Sequence, residues 1–220
     1  MGAPEDRDAA FVAKITAGAT HEIRNVLAII KESAGLVTDV IHALGGRAAS
    51  NPDKIVRAIG RIDAQVNRGA ALLEDLNRFA HCLDRDRGEI DLNQEARQTA
   101  FLCQRLARRG RHEIHVESGD RALLAGVHPL WLQMTSYAAV ESCLDQLPEA
   151  GRVTIRTGRQ GDRLSLEFFA EAEKESAPPF ATGAASWERL LELLDRLGAS
   201  IEASATERRL LILIPSAVAT

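Results

Sequence analysis

Residues 15–44 read ITAGATHEIRNVLAIIKESAGLVTDVIHAL, with apolar positions at Ile15, Ala19, Ile23, Val26, Ile30, Ala34, Val37, Ile41 and Leu44. Steps of three and four put these residues on one side of an α-helix, because positions so spaced share a face. Leu27 widens the stripe near its middle. The helix can begin near Asp6 or Asp8, and Gly45-Gly46 is a strong stop signal.

Beyond that stop lies a short polar loop, Arg47 to Asn51. Asn51-Pro52-Asp53 then supplies a cap, a first-turn proline and an acid at the positive end of a second helix. Its apolar residues are Ile55, Ile59, Ile62, Val66, Gly69, Leu73, Leu76, Ala80 and Leu83, a heptad seam. Gly69 costs about 1 kcal/mol against alanine in an exposed helix interior, and in exchange permits a close backbone approach. Two long helices joined by a short loop make an antiparallel hairpin. One hairpin cannot cover both of its own seams, whereas two can pair into a four-helix bundle, so a homodimer is expected.

The pattern breaks at Asp84-Arg85-Asp86-Arg87-Gly88. This divides the chain into a helical hairpin over residues 1–86 and an α+β domain over 87–220. In the latter, strands are expected at Glu89–Leu92, His112–Glu117, Arg152–Thr157, Arg163–Phe169, Ile201–Ser204 and Arg209–Ile214. Helices are expected at Asn93–Arg109, Pro129–Leu147 and Trp187–Leu197, the last ending at Gly198. Gly158–Asp162 reads as a hairpin loop, and Glu171–Ala185, with Pro178-Pro179, as a longer one.

Composition narrows the function. The 220 residues carry a net charge of -4 with scattered Lys and Arg, so no basic patch points to nucleic acid. The run Arg105, Arg108, Arg109 and Arg111 reads as a solvated helix end. No apolar run reaches bilayer length, and the acidic start, Met1 to Asp8, is unlike a signal peptide. Cys82, Cys103 and Cys143 lie far apart and form no CxxC, which argues against a disulfide framework or a zinc site. The expectation is a cytoplasmic protein that touches neither membrane nor nucleic acid.

Chemistry concentrates in His21-Glu22-Ile23-Arg24-Asn25-Val26-Leu27. His21 lies two positions from both Ala19 and Ile23, about 200° from each around the helix, so it faces away from the stripe. Arg24, Asn25 and Ala28 share its face at i+3, i+4 and i+7. An exposed imidazole is a nucleophile that an incoming phosphoryl group can meet in line. Glu22 can bond the other ring nitrogen or accept a proton, and Asn25 can hold a hydrolytic water. Arg24 can contact phosphate or an acidic partner, while Ala17-Gly18-Ala19 and Ala28 leave room for docking. His42, His81, His112, His115 and His128 are read as ordinary surface histidines, and asparagine at position 25 sets aside HExxH zinc chemistry.

With the hairpin around it, this string resembles the H-box of sensor histidine kinases. That family carries the box in a dimeric hairpin, the dimerisation and histidine-phosphotransfer domain. The resemblance implies His21 as phosphoacceptor, Glu22 as the adjacent acid/base, and Asn25 at the place used for phosphatase activity. It continues in Gly88-Glu89-Ile90-Asp91-Leu92, in His128-Pro129-Leu130-Trp131-Leu132, and in Leu197 to Ser204 with the ending Leu213-Ile214-Pro215. These stretches are similar to parts of the family's ATP-binding domain. The nucleotide boxes depart from it. Ala138 and Ser142 stand where the family has asparagines for magnesium and phosphate. Ala170-Glu171-Ala172-Glu173-Lys174 lacks the aspartate and glycines of the first glycine box, and Thr182-Gly183-Ala184-Ala185-Ser186 keeps one glycine of the second. Without such glycines, backbone amides cannot close on phosphates.

The chain therefore resembles histidine phosphotransferases of bacterial phosphorelays built on a degenerate kinase scaffold. The resemblance implies relay of phosphoryl groups between receiver aspartates through His21, with no cofactor in this chain and Mg2+ supplied by the response-regulator receiver. Alternatives stay open at this point: a response-regulator phosphatase, and a non-enzymatic pseudokinase scaffold that docks a response regulator. A true ATP-dependent kinase is disfavoured, since it needs a nucleotide site that these boxes do not supply.

Overall fold

The computed structural model of the chain describes residues 4–43, 52–82, 88–172 and 185–217. The expected helix stop at Gly45-Gly46, the loop to Asn51, the segment 83–87, and residues 173–184 with the second glycine box lie outside the described residues. The chain divides into two compact units, Met1–Ala80 and His81–Thr220. Among the described residues no helix is long and apolar enough to cross a membrane.

The first unit is built from α1 (Pro4–Ala43) and α2 (Pro52–His81). The first helix starts ahead of Asp6, with a proline in its opening turn. Phe11 of α1 meets Phe79 of α2 edge-to-face, ring centroids 6.0 Å apart and planes at 68°. Glu22 pairs with Arg68, and Val26 lies against Gly69. Numbers that rise along α1 while falling along α2 make the pair antiparallel. The buried face of α2 differs from the expected seam. Ala58, Leu72 and Phe79 are buried, while Ile59, Val66 and Leu73 remain 54%, 52% and 56% exposed. The reason is rotational. Positions 58, 72 and 79 sit one residue, about 100°, round the helix from 59, 73 and 80, and a single partner helix covers one stripe. On α1, Ser33 takes the inward place expected of Ala34, and Leu27 is 58% exposed.

The second unit is a helix layer over a five-stranded sheet. Its elements are β1 (Gly88–Asp91), α3 (Leu92–Arg109), β2 (Glu113–Glu117), β3 (Leu124–Val127), α4 (Pro129–Leu144), β4 (Arg152–Gln160), β5 (Arg163–Glu171), α5 (Ala185–Leu197), β6 (Ser200–Ser204) and β7 (Arg209–Pro215). The sheet order is β2-β4-β5-β7-β6, with β2 parallel to β4 and the other pairs antiparallel; β1 and β3 form a separate two-stranded pair. Strand alternation explains the two faces. Val153, Ile155, Leu164, Leu166, Phe168, Leu210, Ile212 and Ile214 are buried. The opposite face carries Arg152–Glu113, Arg156–Glu117 and Arg209–Glu167 ion pairs between neighbouring strands.

Local chemistry sets the element ends. Asp91 caps α3, its Oδ1 accepting from the backbone N–H of Asn93 and of Leu123 at 3.1 Å each. The β4–β5 hairpin is tighter than expected. Gln160 pairs with Arg163, and the loop is Gly161-Asp162, with Gly161 at φ 60°. Glycine at the first central position is the requirement of a type II′ turn. Gly198 closes α5 at φ 67°. Helix α4 ends at Leu144, ahead of the expected Leu147, whose side chain instead packs near Gly151. Helix α4 is buried nearly all round, from Leu130 to Leu144. Cys103 and Cys143 are buried, and neither they nor Cys82 forms a disulfide among the described residues.

Candidate functional site

The middle of α1 presents His21, Arg24, Asn25 and Ala28 on its exposed side. The side chain of Asn25 reaches back one turn, its Nδ2 lying 3.3 Å from Nδ1 of His21. Ala17 and Ala28 are exposed and Gly18 and Ala19 half-exposed, so the helix surface on both sides of the imidazole is low. Thr20 Oγ1 donates to the Thr16 carbonyl at 2.8 Å, which ties that hydroxyl to the helix. The face combines a nucleophile, an amide, a guanidinium and small neighbours, a set suited to meeting a phosphoryl group carried by another protein.

Glu22 lies on the other side. Its Oε2 accepts from Arg68 Nη2 of α2 at 2.7 Å, and its side chain is 17% exposed. The helix turns about 100° between positions 21 and 22, and this rotation carries Glu22 to the edge of the hairpin contact. Gly69, having no side chain, leaves room here for the side chain of Val26. A Cβ at that position would lie 3.2 Å from Cγ1 of Val26, itself one turn beyond Glu22. The structure thus joins His21 to Asn25 and Glu22 to Arg68. Arg68 was not among the residues expected at the site. Nothing local to Arg68 marks it, and it becomes visible once the hairpin register sets it opposite Glu22.

In the second unit, the positions of the nucleotide boxes are filled differently. Ala138 and Ser142 of α4 are both 1% exposed, and the Ser142 hydroxyl has no hydrogen-bond partner among the described residues. Ala170 is buried and paired with Val153, so β5 runs on through Glu171, where a loop was expected. Glu141 of α4 accepts from Arg189 of α5 at 3.1 Å. Arg196 of α5 lies over the Trp131 ring at 4.4 Å, and His128 stacks on Trp131 at 4.5 Å. Two methyl groups and an enclosed hydroxyl supply neither a carboxylate for an adenine amino group nor amide oxygens for a magnesium ion. These described residues do not fit a magnesium–nucleotide. Other polar groups in this unit are shifted by enclosure. Burial pushes the Glu95 carboxyl up to about 8, and burial raises the Tyr137 hydroxyl and the Cys143 thiol.

No family model matches the chain, and no curated protein matches it. Solved structures do. The catalytic domain of the histidine kinase ThkA, in a nucleotide-free form, superposes with a TM-score of 0.51 at 16% identity, covering 60% of this chain and 98% of that domain. The histidine kinase AdeS of Acinetobacter baumannii gives 0.48 at 13% identity, over 90% of this chain and 98% of its own. ThkA in complex with the response regulator protein TrrA gives 0.46 at 18% identity, over 97% of this chain and 64% of that one. At these identities the likeness speaks to fold: the α+β unit has the architecture of a histidine kinase catalytic domain.

Proposed function

We propose that this chain is a histidine phosphotransferase of a two-component phosphorelay. In this reading His21 takes a phosphoryl group from the aspartate of one response-regulator receiver and passes it to another. The observation that carries the reading is the exposed face of α1, where His21 stands beside Asn25, Arg24 and Ala28. The replacement of nucleotide-binding groups by Ala138, Ser142 and Ala170, in a unit with a kinase catalytic fold, supports a phosphate source outside the chain. The receiver supplies magnesium together with its acyl phosphate. The working form is a homodimer, supported by the exposed Ile59, Val66 and Leu73 along α2.

Asn25 supports a second reading on the same scaffold. Its amide, next to His21, is placed to hold a water against a receiver's phosphoaspartate, which would make the chain a phosphatase. One experiment separates these readings. The purified protein is mixed with a phosphorylated receiver and the label is followed. Label on wild type and none on His21→Ala is the expected result. Loss of receiver label to inorganic phosphate, with none ever on the protein, points to the phosphatase. No label on wild type and no loss from the receiver rejects both readings. Calorimetric titration with ATP is expected to give no heat of binding, and micromolar affinity would overturn the external phosphate source.

A further inference from the structure

The contact between Asn25 and His21 bears on which ring nitrogen can react. Asn25 Nδ2 is 3.3 Å from His21 Nδ1. An amide nitrogen donates and has no lone pair with which to accept, so in this arrangement Nδ1 accepts and the ring proton sits on Nε2. A half-turn of the amide puts Oδ1 in the same place, where it accepts from Nδ1–H and the ring proton sits on Nδ1 instead. In both arrangements Nδ1 is engaged along the helix, and Nε2 is the nitrogen left for a partner. Glu22, the neighbouring acid, is held by Arg68 at 2.7 Å on the inward side of α1.

We propose that Asn25 is a positioning residue that selects the tautomer of His21. The phosphoryl-accepting form is the one in which Oδ1 holds Nδ1–H and leaves the Nε2 lone pair uncovered. This inference rests on the phosphotransfer reading above. In the step, the Nε2 lone pair forms a bond to phosphorus of the receiver's aspartyl phosphate. The bond from phosphorus to the aspartate oxygen breaks, and its electron pair stays on the released carboxylate. The proton on Nδ1 remains there, hydrogen-bonded to Oδ1, so the ring becomes a phosphoimidazolium and no base takes part. In the other tautomer Nε2 already carries hydrogen, and the one free lone pair, on Nδ1, is covered by the Asn25 amide. An amide at this position therefore supports a resting and a reactive ring, whereas a carboxylate, which only accepts, supports the reactive ring alone.

Ring-nitrogen NMR of the full chain with isotope-labelled histidine, His21 assigned by its loss in His21→Gln, reads the tautomer directly. Asn25→Asp is expected to shift His21 to the Nδ1–H form and to retain acceptance of label from a phosphorylated receiver. Asn25→Ala is expected to move the ring signals away from those of the wild type. Its acceptance of label should be about tenfold slower, as when a nucleophile's orientation is no longer held. Identical ring spectra for wild type and Asn25→Ala would overturn the proposal, as would Asn25→Asp slowing transfer as much as Asn25→Ala. If wild type takes up no label, the phosphotransfer reading falls on its own, and the ring spectra still decide whether Asn25 sets the tautomer.

Discussion

Glu95 shows how one side chain ties stability to pH. It is 5% exposed, one turn into α3, and Thr99 Oγ1 donates to it at 3.0 Å. Desolvation is the larger influence, lifting the carboxyl from its ordinary 4.5 to about 8, with the Thr99 bond acting the other way. Between those values the native chain keeps a proton that the unfolded chain has released. Stability therefore falls as pH rises through that window, by at most about 1.4 kcal/mol per pH unit, and the loss is complete above the folded value. Trp131 and Trp187 both lie in the second unit, so their fluorescence in urea follows this unfolding. The midpoint should drop between about pH 5 and about pH 8, the interval set by the raised carboxyl, and Glu95→Gln should flatten that dependence. An unchanged slope in Glu95→Gln would remove Glu95 as its cause. At the candidate site, the phase of the apolar stripe on α1 was enough to put His21 and Asn25 outward, because helical angle depends on spacing alone. The direction of Glu22 was available in the same way. It lies seven positions after Ile15 and four before Val26, both buried, but a charged residue does not enter an apolar list. Arg68 was not legible, since the loop between the helices does not by itself fix which residues face each other.

Among the elements, the hairpin helices were the most readable, because a long repeat averages over many positions. Short elements were less so. The strand Leu124–Val127 was not legible in the sequence, as Leu-Ala-Gly-Val offers one strong strand former, Val127, and its Gly126 serves a close approach to Ala217. The β4–β5 hairpin ran past Gly158 because that glycine pairs with Ser165 inside the ladder, and Gly161 makes the turn. Gly69 is the element-scale case with a clear energetic test. Leucine there would gain about 1 kcal/mol of helix propensity over glycine. It would also drive a side chain into Val26, whose Cγ1 is already 3.2 Å from where a first carbon would sit. Val26 is buried, and a β-branched residue in a helix has one strongly preferred rotamer, so it cannot swing aside. Overpacking of this kind costs about 1–3 kcal/mol, which outweighs the propensity gain. Gly69→Leu should therefore melt at lower temperature by the helical circular dichroism signal, with Gly69→Ala close to wild type. A Gly69→Leu variant more stable than wild type would mean that the Val26 side chain does not pack against position 69.

At the scale of the whole molecule, the sequence pattern and the single chain disagree in an instructive way. The seam expected along α2 included Ile59, Val66 and Leu73, and one chain leaves all three open to solvent, with Val56 beside them. Leu27, Leu36 and Ile41 are open on α1. Soluble monomers rarely keep a run of large aliphatic residues in water along one element. The two stripes on α2 differ in burial: 58, 72 and 79 are covered within the chain, and on the proposed dimer reading 59, 66 and 73 are what a second copy would cover. Fully burying one such side chain contributes about 1.5–3 kcal/mol. Association costs an estimated 4–15 kcal/mol in lost freedom, so several residues from each copy must be covered together. On the proposed dimer reading, the open residues of α1 and α2 would supply that burial together, which no single contact would. Light scattering after size exclusion should give twice the mass of the 23.9 kDa chain. Ile59→Lys combined with Leu73→Lys should give the mass of one chain, because two lysines in the seam lose the apolar burial and face their own copies across it. A wild type that stays monomeric at micromolar concentration, or a double variant that stays dimeric, would mean that this stripe is not the surface joining the copies.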